Sequence, residues 1–132
     1  MLVVDDDTSV AQTLAWLFQN SGYVAAMAHN GRDAIELAAR MNIDVALVDI
    51  ILPEGNGIET ALAICQNKPG CKILLMSGDP EGVHLFESAK QRGAHFQLLA
   101  KPIPLPELLE SVSGLLSEDS QTGCKLPRQE AS

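Results

Sequence analysis

Asp5, Asp6, Asp49 and Lys101 are the residues of this chain whose types and placement could do chemistry together. Each lies at the end of a short apolar run: Leu2-Val3-Val4-Asp5-Asp6-Asp7, Val45-Ala46-Leu47-Val48-Asp49 and Leu98-Leu99-Ala100-Lys101-Pro102. Runs of this length suit buried strands. In an open parallel sheet the carboxyl ends of the strands share one edge, where ligands bind. The four charged groups then converge, although 96 positions separate Asp5 from Lys101. Three carboxylates against one ammonium leave a local formal charge of −2, and crowded like charges cannot all stay ionised without compensation. A divalent cation is the economical answer. With oxygen ligands only, and no Cys or His in these fragments, a hard ion such as Mg²⁺ fits better than zinc. Such a site suits phosphoryl transfer, which needs positioning and charge neutralisation more than covalent help from the protein. A single Asp after a strand is as readily a loop or helix-cap residue. That reading does not account for four such groups at three strand ends.

The elements that must position these groups alternate between strand-like and helical patterns about five times, which is the signature of βαβ units and a parallel sheet. The first strand spans Leu2 to Asp5. A helix from Thr8 to Asn20, capped by Asp7 or Thr8, turns Val10, Leu14, Leu17 and Phe18 inward. Tyr23 to Ala28 is the second strand, Arg32 to Met41 the second helix with Ala34, Ile35, Ala38 and Met41 inward, and Asp44 to Asp49 the third strand. A turn-rich loop, Pro53-Glu54-Gly55-Asn56-Gly57, leads to a helix from Ile58 to Asn67 that buries Ile58, Ala61, Leu62 and Cys65. Lys72 to Ser77 is the fourth strand and Glu81 to Arg92 the fourth helix, the least apolar of the five. The fifth strand runs from Phe96 to Ala100. The fifth helix, Pro104 to Leu116, carries a stripe of Leu105, Leu108, Leu109, Val112, Leu115 and Leu116.

The chain has 132 residues, 46% of them hydrophobic, enough for one well-covered core. From Ser117 onward apolar residues almost vanish, and residues 118–132 are expected to form a flexible tail. The first strand starts almost at Met1, where a short lead-in is usual, so the native start is expected to be trimmed or to lie upstream. A net charge of −8 without a basic run argues against direct nucleic-acid binding. No apolar stretch reaches the roughly 18 residues of a membrane span, and no secretion signal is present, so a cytoplasmic location is expected. Cys65, Cys71 and Cys124 have no ligand spacing and are expected to be reduced thiols. His29, His84 and His95 are expected on the surface or in loops.

The motifs Val3-Val4-Asp5-Asp6-Asp7, Val48-Asp49 with Pro53 and Gly57 following, Leu75-Met76-Ser77-Gly78 and Lys101-Pro102 resemble, in order and spacing, the receiver domain of bacterial two-component response regulators, the CheY-like family. The resemblance covers residues 1–117. It implies a flavodoxin-like (βα)5 fold, a doubly wound five-stranded parallel sheet of strand order 2-1-3-4-5. It implies that Asp49 is the phosphoacceptor, receiving a phosphoryl group from a partner histidine kinase or phosphotransfer protein. Asp5, Asp6, Asp49 and the backbone carbonyl of Ile51 are then the ligands of Mg²⁺. Lys101 contacts the phosphoryl oxygens, Ser77 supplies a switching hydroxyl, Gly78 leaves access to Asp49 open, and the Lys101-Pro102 bond is cis. The domain is a phosphoacceptor in signalling and not an enzyme, apart from self-dephosphorylation. That reaction is expected to be slow, because apolar Ile51 cannot orient water and Asp79 repels hydroxide.

The implied aromatic switch position has two candidates. Counting back from Lys101 reaches Leu98, whereas Phe96 lies two residues earlier and would serve through a bulge. The implied output is a protein partner that reads the surface of helix four, strand five and helix five; helices four and five are also candidates for a phosphorylation-dependent homodimer. The alternative function is a receiver-like interaction module that works without phosphorylation, which the full set of Asp5, Asp6, Asp49, Ser77 and Lys101 argues against. A flavodoxin-like cofactor binder or a hydrolase fits less well. The acidic cluster would repel a flavin phosphate, and no Gly-rich phosphate loop follows the first strand.

Overall fold

Ten elements alternate in the computed structural model, which describes residues 1–93 and 96–117. They are β1 (Leu2–Val4), α1 (Thr8–Asn20), β2 (Ala26–Ala28), α2 (Gly31–Arg40), β3 (Val45–Asp49), α3 (Gly57–Asn67), β4 (Lys72–Ser77), α4 (Pro80–Gln91), β5 (Gln97–Ala100) and α5 (Leu105–Ser117). The five strands form one parallel sheet in the order β2-β1-β3-β4-β5, as the sequence reading expects. The expected tail, with Cys124, lies outside the described residues, and so does His95.

Alternation along the central strands builds the two layers. On β3 and β4, Ala46, Val48, Ile73 and Leu75 face the core under α2, α3 and α4, where Ala34, Ala38, Ile58, Ala61, Ile64 and Ala89 also pack. Val45, Leu47, Leu74 and Met76 face the opposite core with Phe18, Leu108 and Val112 from α1 and α5. Both faces of these strands are buried, which is why they read as continuous apolar runs and not as alternating ones. The helices start where side chains satisfy their first amides. Asp7 accepts from Ser9 and Val10, Asn30 from Asp33, Asn56 from Glu59, and Asp79 from Glu81.

Three local expectations are corrected. The second strand begins at Ala26 and not at Tyr23, because β1 starts at Leu2 opposite Ala26 and leaves only Met1 to meet the residues before it. The Tyr23 amide instead donates to Phe18 at 2.9 Å, and the two rings meet edge to face at 5.7 Å. On α1 the deepest residues are Ala11, Ala15 and Phe18, with Val10, Leu14 and Leu17 only half-buried. Small side chains let this helix sit close to the sheet while the larger ones splay to its flanks. Finally, Cys65 is disulfide-bonded and not reduced, while Cys71 is a buried thiol whose pKa desolvation pushes up to about 12.

Candidate functional site: an acidic cluster bridged by one lysine

The carboxyl ends of β1, β3, β4 and β5 meet at one edge of the sheet, and each delivers one polar group there. Asp5 follows β1 and is only 1% exposed; Asp49 ends β3 and is 7% exposed. Their burial follows from the strands themselves, since residues 2–4 and 45–48 are fully covered. Lys101 follows β5, and its ammonium donates to Asp5 Oδ2 at 2.7 Å and to Asp49 Oδ2 at 2.8 Å. The other oxygens are held by backbone: Asp5 Oδ1 accepts from the Asp7 amide at 2.9 Å, and Asp49 Oδ1 from the Ile51 amide at 3.1 Å. Asp6 is exposed beside them. One oxygen from each of Asp5, Asp6 and Asp49 can be chosen so that all three lie within 4.8 Å of one another.

The electrostatics show what this arrangement lacks. Burial is the largest influence on Asp49 and raises its pKa above the usual carboxylate value; Lys101 opposes the rise, Asp5 adds to it, and the Ile51 amide opposes it without reversing it. For Lys101 burial is again the largest influence and acts downward. Its hydrogen bonds and attraction to Asp49 and Asp5 outweigh this and hold it above the usual lysine value. One cation is thus shared between two buried carboxylates, with a third carboxylate adjacent. The cluster is short of positive charge, and its donor set is all oxygen. Such a set suits Mg²⁺, which takes oxygen ligands at about 2.0–2.1 Å in octahedral geometry and keeps several waters.

Ser77 ends β4 and is 3% exposed. The backbone ties its strand to both neighbours: the Ile50 amide donates to the Met76 carbonyl at 2.9 Å, and the Lys101 amide to the Ser77 carbonyl at 2.8 Å. The Lys101-Pro102 bond is cis, as expected.

A family model described as the response regulator receiver domain matches residues 1–113. The chain belongs to the response regulator receiver family. Over 131 residues it is 33% identical to the transcriptional regulatory protein ZraR of Salmonella typhimurium, a match covering 99% of this chain but only 29% of that protein's length. It is 30% identical to the chemotaxis protein CheY of Thermotoga maritima, covering 86% of this chain and 93% of that one. A solved structure of the response regulator TrrA from Thermotoga maritima, in complex with Mg²⁺ and BeF, superposes with a TM-score of 0.75 at 30% identity, covering 87% of this chain and 96% of that one. No helix among the described residues is long and apolar enough to cross a membrane.

This receiver domain brings Asp5, Asp6, Asp49 and Lys101 together, as the sequence leads one to expect, with Ser77 ending the intervening strand. Phe96 and Leu98 are both half-buried against the core under α2, α3 and α4, and Leu98 lies opposite Leu75 in the ladder. Three residues beside the site make contacts that the sequence does not signal. His29 is half-buried, with Nδ1 at 3.1 Å from the Asp5 carbonyl. The expectation of a surface or loop histidine overlooked this contact, which no spacing signals. Gly57 abuts the carbonyl of Asp49, whose oxygen a Cβ there would overlap. Gly78 stands where a Cβ would lie 3.2 Å from Lys101 Cβ, so its lack of a side chain leaves room for the lysine stem.

Proposed function

We propose that the chain is the phosphoacceptor domain of a two-component response regulator, that Asp49 is the acceptor, and that the donor is a phosphohistidine on a histidine kinase or phosphotransfer protein. The observation that carries this is the Lys101 ammonium shared by Asp49 and Asp5 within an oxygen-rich cluster. In the transfer, an Asp49 oxygen forms the bond to phosphorus as the phosphorus–nitrogen bond breaks and its electron pair returns to the imidazole. Asp5, Asp6, Asp49 and the Ile51 carbonyl would hold Mg²⁺. The bound ion supplies charge neutralisation for the phosphoryl oxygens. The chain's own residues do the rest. The Ile51 amide fixes Asp49, the Asp7 amide fixes Asp5, and Lys101 stands ready to follow the arriving charge.

Ser77 is the hydroxyl that answers the new phosphoryl group, and Phe96 or Leu98 the side chain that follows it. The output is a protein that reads the α4, β5 and α5 face, and the same two helices are candidates for a homodimer of the phosphorylated form. Phosphorylation shifts an equilibrium, and only a partner that discriminates the two states can read it. Self-dephosphorylation is slow, because the apolar Ile51 side chain cannot orient an attacking water. The assigned roles call for the cytoplasm, where kinase and domain can meet.

Incubation with Mg²⁺ and acetyl phosphate followed by intact-mass measurement tests the proposal. A species carrying one phosphoryl group should form on the wild type and be absent from Asp49→Ala. If no such species forms, the reading as a phosphoacceptor fails and a purely protein-binding module takes its place; if it persists in the variant, Asp49 is not the acceptor.

A further inference from the structure

Both hydrogen bonds of the Ser77 hydroxyl go to the backbone of a single residue. It donates to the Asp79 carbonyl at 2.9 Å and accepts from the Asp79 amide at 3.2 Å. The same carbonyl accepts from the amides of Gly82 at 3.0 Å and Val83 at 3.3 Å. Three donors therefore meet on an oxygen with two lone pairs. The hydroxyl is pinned to the first turn of α4, whose start is fixed by Pro80 and by Asp79 Oδ1 accepting from the Glu81 amide at 2.8 Å.

Gly82 makes that seat available. A Cβ at this position would overlap the Ser77 hydroxyl and stand 2.9 Å from Ser77 Cβ, with Ile50 Cβ at 3.7 Å. Glycine weakens a helix relative to alanine, and here the space it leaves is filled by a side chain from the site edge. Ile50 directly follows Asp49, so Gly82 faces residues at both the strand end of the proposed acceptor and the strand end that carries the hydroxyl. A cleft of about 310 Å³ lined by Ile58, Leu62, Leu85, Ala89 and Arg92 lies at the junction of α4 with α3.

We propose that Gly82 is a positioning residue that seats the Ser77 hydroxyl on the Asp79 carbonyl, so that release of this hydroxyl toward a phosphoryl group on Asp49 loosens the first turn of α4. The inference rests on the assignment of Asp49 as acceptor. Filling the seat disfavours the resting state and so favours the state that a phosphoryl group selects.

Beryllofluoride with Mg²⁺, as a stable phosphoryl mimic, provides the test, read by the backbone amide resonances of residues 82 and 83 in ¹⁵N-labelled protein. In the wild type both should move with saturation. Gly82→Ala should lower the half-saturating beryllofluoride concentration about threefold or more. In a Ser77→Ala background the same substitution should change it by less than about 1.5-fold, because the two residues act as one unit. Unchanged or weakened binding in Gly82→Ala, equal effects in both backgrounds, or silent amides in a saturated wild type would each overturn the proposal. Should Gly82→Ala not fold, the Val83 amide decides: a larger movement in wild type than in Ser77→Ala supports the seat, and an equal one overturns it. Absence of any saturable binding that depends on Asp49 would sink the acceptor assignment and this inference with it. Binding with silent amides sinks this inference alone.

Discussion

Lys101 reaches Asp49 across the end of an intervening strand: the lysine follows β5, the aspartate ends β3, and β4 lies between them, yet their charged atoms are 2.8 Å apart. The ammonium then continues to Asp5 beyond β1. Two carboxylates with almost no exposure therefore depend on one cation whose side chain is 24% exposed. Replacing it by Lys101→Met keeps most of the stem and removes the charge. Without Mg²⁺ at neutral pH this should cost about 2–3 kcal/mol, somewhat under the usual cost of breaking a buried pair because solvent reaches the lysine. Urea unfolding measures it, and adding Asp49→Asn to the variant should recover part of the loss. Equal stability of Lys101→Met and wild type would show that the carboxylates do not need the lysine.

The upward pKa of Asp49 fixes the sign of a pH effect. Burial makes the charged form harder to hold in the folded state than in the unfolded chain, so between the unfolded pKa of about 3.8 and the raised folded value the native state binds more protons. Stability attributable to Asp49 therefore rises as pH falls through that window. At neutral pH the ionised group is a cost that Lys101 only partly offsets. Asp49→Asn should consequently be as stable as wild type or more so at pH 7, with the advantage shrinking as the solution is acidified toward the lower end of the window. Paired urea titrations at several pH values give the difference directly, and an advantage that grows on acidification would contradict the sign. For Lys101 the raised value works the other way. Its contribution is full below its ordinary pKa and is lost only as pH climbs through the folded one.

The charged half of this site was legible because each group directly ends or follows an apolar run, and a strand end is a place in the fold as well as in the sequence. Asp5, Asp49 and Lys101 lie where that logic put them, whereas the sheet order and the place of Ser77 were expected from the family resemblance. What could not be read is set by distances through space. Nothing in the sequence around Gly57, Gly78 or Gly82 says which backbone, lysine stem or hydroxyl approaches each one. The inner face of α1 was misjudged for a related reason. Hydrophobicity favours Val10 and Leu14, but close approach to the sheet favours Ala11 and Ala15. The length of β2 depended on where β1 begins, a property of the partner strand and not of residues 23–25.

Mg²⁺ should stabilise the fold by compensating the same excess charge. A ligand that binds only the native state at ten times its dissociation constant adds about 1.4 kcal/mol, and the effect should appear as a rise in the thermal midpoint. Asp6→Ala, at an exposed position, should leave the midpoint without Mg²⁺ almost unchanged while reducing the rise. Asp49→Asn should reduce it too. A rise of equal size in all three proteins would place the ion elsewhere.

Gly57 and Asp49 give the sharpest steric prediction. The Gly57 amide donates to the Ile50 carbonyl at 2.6 Å, and Ile51 pairs with Asn56 in an antiparallel bridge, so the β3–α3 loop folds back on the end of β3. A Cβ on Gly57 would overlap the Asp49 carbonyl oxygen and stand 2.8 Å from Asp49 C and from Ile50 Cα. Those atoms belong to the backbone at the end of the central strand β3 and cannot turn aside as a flexible side chain could. Relief must come from the first turn of α3 or from Asp49 itself. Gly57→Ala should therefore lose about 1–3 kcal/mol, the range for inserting a methyl group into a packed interior. It should also slow phosphorylation by acetyl phosphate by more than the lost stability explains, because the displaced atoms carry the carboxylate proposed as the acceptor. Rates measured well below the melting range separate the two effects. A variant that is destabilised but labelled at the wild-type rate would show that α3 yields and Asp49 stays in place.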